Sequence, residues 1–302
     1  MNESIRQYMQ VGLIHFMAYP VSKGEGPIAE TFKKIAIDDY FEVAEITWIK
    51  DAATRNKVKK MIETSHMTVT YGAQPRLLTT GLNINDLDEV GRQKAITTLK
   101  EGIDEAYEMG AKGFAFLSGK YDEDKKEEAY QALVKSTKEL CGYAKAKGSI
   151  KVALEVFDYD IDKKSIIGPV ALAKRFAEEI TAEYDNFGLM VDLSHLPLLR
   201  ESPEQSLIPI KDYIIHAHMG NCVVKDSSLP AYGDAHPRFG FPNSENDVDE
   251  LVEYLRVLMS IGFISKEKRP IVSFEVKPYE DEDPDLVIAN AKRVLNLAWD
   301  RV

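Results

Sequence analysis

Cysteine is scarce in this sequence. Only Cys141 and Cys222 are present, too few for the disulfide framework that holds small secreted domains together. Positive charge is also in deficit: 38 Lys and Arg against 49 Asp and Glu leave a net charge of −11. That balance opposes nucleic-acid binding, which needs a basic face to neutralise phosphates, and opposes docking on an anionic membrane. Long apolar runs are missing. Uncharged apolar stretches such as GFAFL at 113–117 fall far short of the ~20 residues a membrane-spanning helix requires. The start, MNESIRQYMQ, lacks a basic segment followed by an apolar one, so no secretory signal is visible. A glycine fingerprint is absent too: Gly24 and Gly26 after the first apolar run do not form GxGxxG, so no dinucleotide site is indicated. The expectation is a soluble, reduced, cytoplasmic protein with no nucleic-acid or membrane partner.

What is present is a repeated pattern. Short β-branched and aromatic runs occur at 11–17, 41–49, 67–72, 113–119, 150–157, 187–193, 213–219 and 271–277, as buried parallel strands should read. Amphipathic stretches predict helices at 28–40, 51–64, 86–110, 124–147, 168–183, 246–262 and 284–301. Two of them end at Gly110 and Gly148, where glycine is the expected helix stop. The stretch 196–210 carries Pro197, Pro203 and Pro209, so the sixth helix should be short or irregular. An unbroken alternation of strand and helix implies a parallel sheet, and eight units in a chain of this length imply a closed (β/α)8 TIM barrel, α/β in class, as a single domain over 1–302. The longest loop, 220–245, is rich in Gly, Pro, Asp and Asn, and a loop that long in a barrel is usually functional.

In such a barrel the active site lies at the C-terminal ends of the strands. Those ends carry Glu155 in ALEVFD, Asp192 and His195 in DLSH, His216 and His218 in IIHAHMG, and Glu275 in IVSFEVKP. Alternation puts His216 and His218 on one face, and likewise Ser273, Glu275 and Lys277, with Lys277 at the mouth. A lone His or Glu at a strand end is more often a core or capping residue. Four consecutive strands ending this way are different, because clustered buried carboxylates repel and lose hydration unless a cation joins them. Glu155, Asp192, His218 and Glu275 are therefore the expected ligands of a divalent metal. Mixed carboxylate and imidazole donors suit Mn, Co, Mg or Zn.

These motifs, in this order, resemble the xylose isomerase-like TIM-barrel superfamily of sugar (phosphate) isomerases and epimerases. The resemblance implies the same four metal ligands, with His195 beside the metal, touching substrate or a second metal. The loop segment GDAHPRFGFP at 233–242 resembles the family's H-x-x-x-G-x-G, with His236 and Gly240 in place and Pro242 where the last glycine would stand. Asp234 and His236 also resemble a D-x-H pair that holds an additional zinc in the superfamily's AP endonucleases, so His195, Asp234 and His236 could hold a second metal. Those endonucleases have further histidines after strands three and four. The segments TYGAQ at 70–74 and FLSGK at 116–120 have none, and this, with the acidic charge, opposes that activity. The ketose 3-epimerases carry an Arg and a second Glu after the strand-five Glu. Here Asp158 or Asp160 could only partly substitute. Relatives also keep a Glu at the position of Glu45.

The implied function is a metal-dependent isomerase or epimerase of a sugar or sugar derivative. It would work through a metal-stabilised enediolate, with Glu155 and Glu275 exchanging the proton. His195, His236, Lys277 and Glu45 are the expected substrate-binding residues, and manganese is one candidate cofactor. The partner is a small-molecule sugar, and oligomers of this chain would be in keeping with relatives. The alternative on the same site is a dehydratase of a keto-polyol or dehydroshikimate type. A barrel that only binds a ligand is a further alternative. Arg76 and Lys120, after strands three and four, are candidate anion binders. His15 on strand one is either a core residue or one facing the barrel, and His66 should be structural.

Overall fold

The computed structural model describes residues 3–302. Eight parallel strands close into a barrel in chain order: β1 (Gln10–Ile14), β2 (Val43–Ile46), β3 (Thr68–Gly72), β4 (Gly113–Leu117), β5 (Lys151–Glu155), β6 (Phe187–Asp192), β7 (Ile214–Gly220) and β8 (Ile271–Glu275). Helices Ile28–Ala36, Ala52–Ser65, Glu89–Glu108, Lys126–Lys147, Val170–Thr181, Val248–Ser260 and Pro284–Trp299 pack outside it. Their apolar stripes supply most of the core. Leu99 and Ile103, Leu133 and Leu140, and Phe176 and Ile180 are fully buried against the sheet. No helix among the described residues is long and apolar enough to cross a membrane.

Inside the barrel, space is short. A Cβ on Gly12 would lie 2.2 Å from Ser273 Oγ, so β1 and β8 approach closely there only because residue 12 has no side chain. Asp51, Asp88 and Asp283 cap their helices by accepting backbone N–H bonds, satisfying donors the first turn leaves free. The helix Glu89–Glu108 stops as its sequence implies, with Gly110 at φ 73°. The sixth unit is indeed broken into two short helices, His195–Leu199 and Pro203–Leu207.

Several strands are shorter than the sequence runs suggest, because the segment nearest the mouth leaves the ladder to face the cavity. β1 ends at Ile14, and His15 instead opens a one-turn helix, His15–Ala18. Its ring is buried and bonds Thr31 Oγ1 at 2.8 Å, so His15 is a core residue outside the site. Arg76 is likewise no anion binder. Its guanidinium is buried, paired with Glu105 at 2.6 Å and bonded to Tyr71 at 3.0 Å. Among the described residues Lys120 is hydrogen-bonded only through its carbonyl, which accepts from Asn83 and Asn85. His66 is exposed and ends the helix Ala52–Ser65 in the left-handed region, φ 56°.

Burial pushes the His15 imidazole down to about 4. An unfolded histidine titrates near 6.5, so between those values the unfolded chain binds the extra proton, and stability falls as pH drops through that window. The loss is on the order of 3 kcal/mol by pH 4, at about 1.4 kcal/mol per unit. Denaturant melts should show wild type losing that much more stability than His15→Gln between pH 7 and pH 4. Parallel curves would contradict this.

Candidate metal centre and cavity

β5, β6 and β8 each end in a carboxylate, Glu155, Asp192 and Glu275, while His218 lies two residues from the end of β7. Register aligns Asp192 with His218, His218 with Ser273, and Gly220 with Glu275. The four side chains therefore meet at the C-terminal end of the barrel. One ligand atom from each lies within 4.8 Å of the others. Gly220 makes room: a Cβ there would sit 3.0 Å from Asp192 Oδ1 and 3.0 Å from the Glu275 carbonyl.

Each of the four has one buried polar atom with no hydrogen bond: Glu155 Oε1, Asp192 Oδ2, His218 Nδ1 and Glu275 Oε2. The other acceptor or donor atoms are largely occupied. Gln74 Nε2 donates to Glu155 Oε2 at 2.6 Å, and the Ser194 N–H donates to Asp192 Oδ1 at 2.7 Å. His218 Nε2 lies 3.2 Å from Glu45 Oε1. A proton on that nitrogen leaves Nδ1 as a lone pair facing Glu275 Oε2 at 2.8 Å and Glu155 Oε1 at 3.6 Å. Lone pairs aimed at one another in a buried site repel unless a cation lies between them. The same field acts on protons. Burial lowers the His218 imidazole, but the carboxylates of Glu45, Glu155 and Glu275 outweigh it and hold the ring well above its usual value. The donor set and its unpaired atoms thus fit a divalent cation.

Glu45 on β2 lines the cavity, but its Oε1 is engaged by two rings, His216 Nε2 at 2.6 Å and His218 Nε2 at 3.2 Å. It thus both lines the cavity and holds the two imidazoles, as a carboxylate that orients a ligating histidine does. His216 and His218 do share a face, as strand alternation implies, and both reach Glu45.

The loop after β7 folds over the mouth. His236 is buried and adopts φ 52°, a left-handed conformation that costs a non-glycine residue about 1–2 kcal/mol. Asp234 Oδ1 lies 2.9 Å from His236 Nε2 and 3.2 Å from His195 Nε2. His195 Nδ1 faces the Val156 carbonyl at 2.8 Å. Both His195 nitrogens therefore face acceptors. Burial lowers this ring, but Asp234, Asp192 and Glu155 outweigh it and raise it to about 10. The three residues expected around a second metal do come together, with Asp234 satisfied by hydrogen bonds. The trio whose atoms converge on a second point is Asp192, His195 and His236.

Sequence reasoning missed what holds this arrangement. Asp158 Oδ2 accepts the N–H groups of Ile161 and Asp162, and Oδ1 accepts that of Lys163 at 2.8 Å. That turn, folded around the buried Asp158 carboxylate, delivers Lys163 Nζ to Asp234 Oδ2 at 2.8 Å. Asp158 is thus a loop-folding residue, and Asp160 is an exposed partner of Arg200 at 3.0 Å. Neither stands in for the epimerases' Arg and Glu. Gln74 gave no sequence signal beyond its place after β3.

The cavity above the centre has a volume of about 220 Å³. Ile14, Phe16, Met17 and Phe157 form apolar walls, and Lys23, Lys163 and Lys277 stand among its polar lining. Lys277 lies beyond the end of β8, its N–H donating to the His236 carbonyl at 2.7 Å. Glu45→Gln should weaken Mn²⁺ or Zn²⁺ binding by about 10–100-fold, the usual cost of losing such an orienting carboxylate. Competition against a chelating dye would read this, and unchanged affinity would remove Glu45 from the role.

No curated protein matches the chain in sequence. Solved structures do match its fold. D-psicose 3-epimerase with D-tagatose from Clostridium cellulolyticum H10 superposes with a TM-score of 0.70 at 16% identity, over 96% of this chain and 98% of that one. L-ribulose 3-epimerase gives 0.74 at 16% identity, over 97% and 95%. An IOLI protein with a zinc atom gives 0.71 at 17% identity, over 96% and 98%. At these identities the likeness is one of fold. A family model described as a xylose isomerase-like TIM barrel matches residues 37–291. The chain belongs to the xylose isomerase-like TIM-barrel family.

Proposed function

We propose that this protein is a divalent-metal-dependent sugar epimerase or isomerase, with Glu155, Asp192, His218 and Glu275 as ligands. The observation that carries this reading is the convergence of four unpaired donor atoms, one from each residue, with Glu155, His218 and Glu275 lining a cavity. The fold neighbours add support, since two of them are sugar 3-epimerases. A bound Mn, Mg, Co or Zn ion would supply charge to polarise a carbonyl and its neighbouring hydroxyl.

The rest of the chemistry falls to the chain. β5 and β8 are separated by two strands on one side of the closed barrel and by four on the other, so Glu155 and Glu275 reach a sugar carbon from different walls. Gln74 Nε2 fixes Glu155 through Oε2, 2.6 Å away. His236 Nε2 sits 3.4 Å from Glu275 Oε1. One glutamate takes the proton from the carbon between carbonyl and hydroxyl, and the other returns a proton. Return to the same carbon from the opposite face gives epimerisation, and return to its neighbour gives aldose–ketose isomerisation. His236, which lines the cavity, orients a hydroxyl group, and His195, with both nitrogens on protein acceptors, holds Asp234 in place. A dehydratase would use the same abstraction but needs an acid at the departing hydroxyl, and His236 stands beside Glu275 to supply one.

The test is turnover of a panel of ketoses, free, phosphorylated and oxidised to acids, by Mn²⁺-loaded enzyme in deuterated water. Solvent deuterium should enter the substrate at the reacting carbon. Glu155→Gln and Glu275→Gln should each lose exchange by on the order of 10²–10⁴-fold, the worth of a positioned acid or base. Turnover without deuterium would mean hydride transfer and defeat the glutamate pair. Loss of water from the substrate would move the reading to the dehydratase. No turnover of any member would overturn the reading.

A further inference from the structure

Three lysines line the cavity, and they are not alike. Lys163 is saturated: its ammonium lies 2.8 Å from Asp234 and 3.0 Å from Asp162. Lys23 and Lys277 also line the cavity, are solvent-facing, and make no ion pair or side-chain hydrogen bond among the described residues. Unpaired lysines are ordinary on a convex surface, where water solvates them. These two are at a concave mouth above a cluster of carboxylates. Were their role to neutralise that cluster, they would pair with it as Lys163 does.

Both are held in place from behind. Gly24, next to Lys23, has φ 82°, and a Cβ there would meet the Trp48 indole at 2.6 Å. Its backbone bridges Ile49 beyond β2. Lys277 is pinned by its N–H bond to the His236 carbonyl at 2.7 Å. Both side chains line the same cavity. Two ammoniums lining one cavity without an ion-pair partner repel, and an anion shared between them would remove that cost.

We propose that the substrate is an anionic sugar derivative, a phosphate or a carboxylate, whose charged group is held by Lys23 and Lys277 while its reacting carbons lie at the glutamates. This rests on the sugar-epimerase or isomerase reading and narrows its substrate class. The anion would sit at the end of the sugar remote from the carbonyl, because the lysines belong to the mouth and the carboxylates to the strand ends. Phosphate and carboxylate share the chemistry that two ammoniums recognise, and the probes below separate them.

Calorimetry on the Mn²⁺-loaded full chain would compare D-fructose, D-fructose 6-phosphate and D-gluconate. One of the two anions should bind at least 10-fold more tightly than D-fructose, and whichever is tighter identifies the group. The double variant Lys23→Gln/Lys277→Gln should lower that anion-to-neutral ratio by on the order of 10–100-fold, as expected for charge-assisted hydrogen bonds. Lys23→Arg/Lys277→Arg should restore most of it, and Mn²⁺ binding measured in both variants reports that the fold is intact. Equal binding of the three probes, absence of anion binding, or a ratio unmoved by the Gln variants would overturn the proposal. Deuterium exchange into a neutral ketose by wild type would then leave the epimerase or isomerase reading standing. Its absence with every ketose would take that reading down as well.

Discussion

Four polar atoms that hydrogen-bond to nothing converge at the end of the barrel, and the surroundings are organised around that unresolved charge. Burial makes an unpaired carboxylate oxygen expensive, by several kcal/mol, and makes several together more so. The chain accommodates the cluster by supporting it from outside. Gln74 and the Ser194 N–H hold the far oxygens of Glu155 and Asp192, Glu45 holds the far nitrogen of His218, and Gly220 leaves room beside Asp192. Each support fixes one atom of a ligand and points the other inward. Rigid strand ends set the positions, and the hydrogen bonds set the directions.

A second tier hangs from the first. His236 and His195 are drawn in by Asp234, Asp234 by Lys163, and Lys163 by the turn that Asp158 folds. The result is a relay from a loop after β5 to a loop after β7. His236 keeps a left-handed backbone while its ring lies 2.9 Å from Asp234 and 3.4 Å from Glu275, contacts that offset the cost of that conformation. The strain is local to the mouth, as is common where a site must be preorganised.

Much of this was legible in the sequence because the signals are periodic or come at strand ends. Strand and helix runs alternate without a break, and Glu155, Asp192, His218 and Glu275 fall at the ends of four consecutive apolar runs, a set that points to a site where a single such residue would not. The proline-broken sixth unit and the Gly110 stop were readable for the same reason, since each is a backbone property of one residue type. What was not legible depends on tertiary neighbours. Asp158 looks like a site carboxylate after β5, yet its oxygens are used up by backbone N–H groups. Arg76 follows a strand like an anion binder, but Glu105 on a neighbouring helix captures it. Lys23 lies in a loop with no periodicity, and only the closed barrel brings it to the cavity that Lys277 also lines. His15 lies inside the apolar run 11–17, but β1 stops at Ile14, where its ladder with β2 ends.

The claim on which the account stands is that the four unpaired atoms share one cation. The most direct measurement is an anomalous difference map from crystals of the Mn²⁺-loaded protein. The account predicts one dominant peak bounded by Glu155, Asp192, His218 and Glu275, at about 2.0–2.3 Å from the donor atoms. A peak elsewhere, or Mn²⁺ absent from that point while the four side chains keep their positions, would contradict it.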